Sequence, residues 1–179
     1  MSSLHDSAQH YGLVSRILHW GMAALLGWQF FTTLVHLLLA ESSLDEFAWA
    51  THKPTGVLLM ALVLVRLLWA LANRSRRPAS LNAMARLGHL ALYALMLLVP
   101  LLALLRQYGS GRQFSAFGIE LMAGFSGPKI EWLMAPANLL HGNLGWLLLA
   151  LILGHAAMAL VHRRQGEADV LGRMIGRAR

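Results

Sequence analysis

Four histidines fall inside or at the edge of long apolar runs: His19 in ILHWG, His52 in THKPTG, and His141 and His155 in LLHGNLGWLLLALILGHAAMALVH. Imidazole gains little from hydrocarbon, so a histidine kept there is expected to bind something. In an α-helix each residue turns about 100° and rises about 1.5 Å. His141 and His155 are 14 residues apart. They therefore share one helix face to within about 40° and lie about 21 Å apart along the axis. His162, seven residues further on, continues that face. One helix thus points an imidazole inward near each surface of a membrane.

The metal chemistry open to these side chains is narrow. The chain has no cysteine, which excludes disulfides, iron–sulfur clusters, thiolate-bound metals and haem attached through C-x-x-C-H. Any metal must be held by histidine.

The elements that position the histidines follow from composition. Of 179 residues, 57% are hydrophobic and 13% charged, the balance of a membrane protein with one domain. A spanning helix needs roughly 20 apolar residues. Four runs qualify, at about 17–39, 54–72, 87–105 and 139–161. The first is too long for a cleaved signal peptide and lacks a small-residue cleavage site, so it is expected to remain in the mature protein. The fold class expected is all-α, an integral membrane four-helix bundle.

Arginine and lysine set its orientation. Arg16, then Arg74, Arg76, Arg77 and Arg86, then Arg163, Arg164, Arg173, Arg177 and Arg179 collect on one side. The other side has Lys53, Arg106, Arg112 and Lys129, diluted by Glu41, Asp45, Glu46, Glu120 and Glu131. Both termini are expected in the cytoplasm. This asymmetry and attraction to anionic membrane lipid account for the net charge of +7, and no nucleic-acid partner is needed.

With that orientation, depth pairs the histidines. His52 and His141 fall near the outer surface, His19 and His155 near the inner one. Two inward imidazoles at each of two depths suit bis-imidazole ligation of iron in two haem b groups. Zinc usually takes four tetrahedral ligands, and no span supplies a carboxylate beside either pair, so haem is the better fit. Gly21, Gly56, Gly142, Gly145 and Gly154 lie within four residues of a proposed ligand. They either let a flat macrocycle approach the backbone or serve ordinary helix contacts. Arg66 is the charge within a span, 14 residues after His52. It either faces the inner haem, where it pairs with a propionate, or snorkels to the headgroups.

The remaining features are less specific. His36 and His89 read as polar contacts, and His5 and His10 as part of an exposed tail. NRSRRPAS, residues 73–80, is a polar connection. The stretch from Arg106 to Ala137 is a long loop expected over the outer mouth. The tail EADVLGRMIGRAR is either a short interfacial helix or a solvated basic end.

Taken together, RILHWGMA, HKPTGVLLMALVLVRLLW, LGHLALYALMLLVPL, FG in the outer loop and HGNLGWLLLALILGHAAMALVHR resemble the bacterial di-haem cytochrome b-561 family. That family is related to the membrane cytochrome b subunits of hydrogenases and formate dehydrogenases. The resemblance covers nearly the whole chain. It implies a four-helix bundle in the bacterial inner membrane with His19, His52, His141 and His155 as axial ligands. Members of this size look like superoxide oxidase, which passes electrons from superoxide outside the membrane to ubiquinone and releases dioxygen.

On that reading Lys53, Arg106, Arg112 or Lys129 steer the anion to the outer mouth, or are ordinary surface charges. His162 and His89 are candidates to serve the quinone with protons, and Arg74 or Arg76 to orient its carbonyl, at the cytoplasmic end. A different reading is the electron-transfer subunit of a larger dehydrogenase, with a partner as electron donor. A structural membrane protein would bind no haem.

Overall fold

The computed structural model describes residues 4–165 and 170–176. Arg177, Arg179 and residues 167–169 of the tail lie outside them. Four long helices dominate: α1 (Leu13–Leu38), α2 (Ser43–Ala72), α3 (Ala83–Gly109) and α4 (Glu131–Gln165), with a short α5 (Val170–Ile175) after them. Each of the four is long and apolar enough to cross a membrane.

α2 and α3 begin well before the apolar runs that announce them, because their polar starts are capped. The Ser42 hydroxyl accepts the Asp45 amide at 3.1 Å, and Asp45 and Glu46 occupy the first turn of α2, where carboxylates complement the helix dipole. The Asn82 side chain accepts the Ala85 amide at 2.8 Å and starts α3. Pro54, Pro100 and Pro136 lie within helices, as membrane helices tolerate when neighbours re-satisfy the freed backbone.

Packing makes two hairpins. α1 lies along α2 and α3 along α4, while a smaller seam between α2 and α3 joins them. Met22, Leu59 and Val63 form the buried centre, with Leu26, Leu62, Tyr93 and Met96 packed around it. Outward, Leu37, Leu68, Leu90, Leu139 and Leu153 are exposed. In a bilayer those side chains meet their own solvent.

The connection between α3 and α4 is shorter than the sequence suggests, residues 110–130, and it is not all loop. β1 (Phe114–Ala116) and β2 (Ile119–Met122) pair antiparallel, with Ala116 opposite Ile119. Phe117 and Gly118 turn between them with φ of 53° and 79°, the left-handed pair that a two-residue hairpin turn requires. Phe114 and Ala116 are buried, and β1 rests on α2. This end of the bundle is the hairpin side.

The opposite end gathers both termini. Tyr11 donates its amide to the Arg173 carbonyl at 3.3 Å. Arg16 donates to Ile175 at 2.9 Å and the Trp20 indole to Met174 at 3.1 Å. His5 is exposed here, as expected of the tail, yet it is held in place. Its ring stacks on Trp69, 5.3 Å between centroids, and its Nδ1 lies 3.2 Å from the Asn73 side-chain oxygen. Next to it the buried Asp6 accepts the Gly12 amide at 2.8 Å and pairs with Arg77 at 3.1 Å. His10 is exposed.

Candidate cofactor site

α1 and α2 make no contact with α4 as close as the α3–α4 packing; what they present to it is histidine. The rings of His19 on α1 and His155 on α4 face each other with centroids 6.3 Å apart and planes at 69°. The rings of His52 on α2 and His141 on α4 are 6.5 Å apart at 75°. A metal–imidazole bond of about 2.0–2.1 Å, plus about 1.1 Å from nitrogen to ring centre, puts two axial rings about 6.2–6.4 Å apart. Both pairs fit an ion held between them. His89 on α3 is also near His155, but at 5.2 Å its ring is about 1 Å too close to share an axial ion with it. It lies beside the terminus-side pair.

Hydrogen bonding fixes which nitrogen is free at the hairpin-side pair. His141 Nδ1 lies 3.0 Å from the Val99 carbonyl. A carbonyl only accepts, so Nδ1 carries the proton and Nε2 keeps its lone pair. His52 Nδ1 lies 2.8 Å from the Thr32 hydroxyl. That hydroxyl spends its own proton on the Gln29 carbonyl at 2.7 Å, so it accepts from His52 and again leaves Nε2 free. An anchored Nδ1–H opposite a bare Nε2 is how proteins hold metal-binding imidazole. Among the described residues no group of three or more His, Asp or Glu gathers into a metal site. Two axial positions are what a porphyrin leaves for the protein to fill.

At Gly21, Gly142, Gly145 and Gly154 an added Cβ would meet nothing within 4 Å, so these positions are not used to bring helices of this chain together. Gly56 differs, with the Gln29 amide nitrogen 3.5 Å from that point.

Charge is distributed unevenly around the two pairs. On the terminus side, half-buried Arg66 donates through Nε to the Tyr93 hydroxyl at 2.9 Å and lies over that ring. On the hairpin side, Lys53 donates to Gln107 at 3.0 Å, and Gln107 donates to the Arg112 carbonyl at 3.0 Å. Arg106 precedes Gln107 at the end of α3. Glu120 is engaged by Gln113 at 2.6 Å, and Asp45 by His36 at 2.9 Å. Lys129 is exposed in the connection to α4.

The other candidates are scattered. Arg74 and Arg76 are exposed in the turn after α2, and His162 is half-buried in the last turn of α4. Thr32, Gln29, Trp49, Tyr93 and the Val99 carbonyl all bear on the site, and sequence reasoning missed them. Trp49 had a signal, since it lies three residues before His52 on the same helix. Thr32 and Val99 reach their histidines from other helices, so spacing offers none.

Comparison with known proteins agrees with this geometry in kind. The family model described as Prokaryotic cytochrome b561 matches residues 10–177. The chain is 30% identical over 185 residues to cytochrome b561 homolog 2 of Escherichia coli (strain K12), covering 98% of this chain and 96% of that protein.

Proposed function

The chain belongs to the prokaryotic cytochrome b561 family of membrane haem b electron-transfer proteins, and from that premise we propose that it is a two-haem superoxide:ubiquinone oxidoreductase. His19 with His155 holds one haem b and His52 with His141 the other, in a bacterial inner membrane with both termini cytoplasmic. Bound in these positions, haem b supplies a one-electron couple at two depths.

The observation that carries the superoxide reading is the basic mouth beside His52. Lys53 donates to Gln107, which donates to the Arg112 carbonyl, and Arg106 precedes Gln107 in the chain, so three cations gather there. A cleft lined by one sign of charge concentrates small ions of the other sign and speeds their arrival. Gln107 fixes the Lys53 ammonium instead of leaving it to sweep solvent. Superoxide gives up one electron and leaves as dioxygen. Ubiquinone takes two electrons and two protons, so two superoxide ions are consumed per quinol formed.

Ubiquinone arrives through lipid, and an open groove on α3 suits its entry. The groove is about 560 Å³, lined by Ala83, Arg86, Leu87, Leu90 and Tyr93, and Tyr93 is the partner of Arg66. His89, next in the chain to Leu90 of that lining and 5.2 Å from His155, is the proton-passing imidazole of this reading, whereas the exposed Arg74 and Arg76 are poorer candidates.

Stopped-flow spectra of the purified protein mixed with superoxide test the proposal. Rapid reduced b-type bands, removed by added ubiquinone, are expected. Bands that answer to dithionite and not to superoxide would overturn it and leave the subunit of a dehydrogenase complex.

A further inference from the structure

Among the described residues, His52 is the one histidine of the four with an aromatic ring stacked on its face. The Trp49 indole lies 4.7 Å from it at 29°. By contrast, His19 meets Trp20 edge-on at 77°, and His155 meets His89 at 66°. The stack does not stop at Trp49. His36 stacks on the same indole at 3.9 Å and 8°, and His36 is itself held by Asp45 through Nδ1 at 2.9 and 3.2 Å.

Asp45 is the fixed point of this column. It is buried, its amide caps α2 through Ser42, and its carboxylate also accepts the Glu41 amide at 3.2 Å. Glu41 adopts φ 66°, so the α1–α2 turn is folded onto the same carboxylate. The chain of contact therefore runs from a helix cap, through the His36–Asp45 hydrogen bond and two stacked rings, to the imidazole of His52. At its other edge His52 is tied to the fully buried Thr32.

A hydrogen bond through Nδ1 leaves a ring free to swing about the Nδ1–oxygen line. A flat neighbour against its face removes that freedom, and the neighbour is effective only if it cannot move itself. Trp49 alone is 40% exposed and would be a poor wall; His36 and Asp45 make it one.

We propose that Trp49, backed by His36 and Asp45, is a positioning element that sets the plane of the His52 ring, and with it the angle between the two imidazoles of the hairpin-side pair. The inference rests on His52 and His141 being axial ligands. It assigns a purpose to His36 and Asp45, which the electron-transfer reading leaves unused. Among the described residues the terminus-side pair has no equivalent column, so the two sites differ in how rigidly their ring planes are held.

The angle has a spectroscopic readout that does not depend on turnover. In low-spin ferric haem with two imidazoles, the spread of the electron paramagnetic resonance g values grows as the ring planes approach perpendicular. The oxidised holoprotein, with planes at 69° and 75°, is expected to give two strongly anisotropic signals. In Trp49→Leu the signal of the hairpin-side pair should lose anisotropy and broaden while the other stays in place. Trp49→Phe, which keeps a flat ring, should restore it. His36→Leu, which removes only the backing, should broaden the same signal without abolishing it. If Trp49→Leu does not assemble, His36→Leu decides alone. Unchanged signals in the leucine variants, or equal changes in both signals, would overturn the positioning role. Fewer than two low-spin signals in the unsubstituted protein would instead sink the ligand assignment on which it rests.

Discussion

Replacing Thr32 with valine removes one hydrogen bond at a chosen imidazole and little else. Valine matches threonine in shape, and Thr32 is fully buried at the α1–α2 contact, so no cavity opens. The Gln29 carbonyl keeps the Thr33 hydroxyl at 3.1 Å. What is lost is the acceptor for His52 Nδ1–H at 2.8 Å. Removing a partner of this kind lowers metal affinity by about 10–100-fold, or about 1.4–2.8 kcal/mol at about 1.4 kcal/mol per decade. The cost of leaving a buried donor unsatisfied, about 1–3 kcal/mol, covers the same range. Haem titration of the apoprotein, followed optically, should show one of two sites weakened by that factor in Thr32→Val and restored in Thr32→Ser. The hairpin-side haem should also rise in midpoint potential, because its ligand donates less charge once Nδ1–H loses its acceptor. Two sites of unchanged affinity and potential in Thr32→Val would refute the argument that Nδ1 is anchored so that Nε2 can bind iron.

Other expectations follow from the same contacts. His89→Leu should retain both haems in the optical spectrum yet slow reoxidation by ubiquinone, since His89 sits too close to His155 to share an iron with it. Lys53→Gln combined with Arg112→Gln should lower the second-order rate of reduction by superoxide by about tenfold at low ionic strength and flatten its salt dependence; an unchanged rate would show that the mouth does not steer. Asp6→Ala takes a buried carboxylate away from both the Gly12 amide and Arg77. It should cost about 2 kcal/mol, read as earlier thermal unfolding in detergent and faster proteolysis near residue 12.

Much of this was legible in the sequence because a bilayer leaves few options. Apolar runs of spanning length had to be helices, and the 14-residue spacing of His141 and His155 had to place them on one face at two depths. The helix ends were less legible. α2 begins at Ser43, well before Pro54, because Ser42 and Asp45 cap it, a short polar signal ahead of the apolar run. The hairpin at 114–122 lies in a connection whose hydropathy does not alternate cleanly, and its Phe117–Gly118 turn places a bulky residue where asparagine or glycine is usual. The N-terminal segment looked like a solvated tail because its anchors, Trp69, Asn73 and Arg77, lie more than sixty residues away in sequence. The same applies to Thr32 and Val99: spacing along one helix says which way a histidine points, and nothing about what another helix offers to its second nitrogen.

The central claim is that four histidines form two axial pairs, and counting haem tests it most directly. Pyridine haemochrome analysis against protein mass should give two haem b per chain in the unsubstituted protein. His141→Leu should give one, with the terminus-side spectrum intact, and His19→Leu should give one of the other kind. One haem per chain before any substitution, or two after His141→Leu, would contradict the pairing.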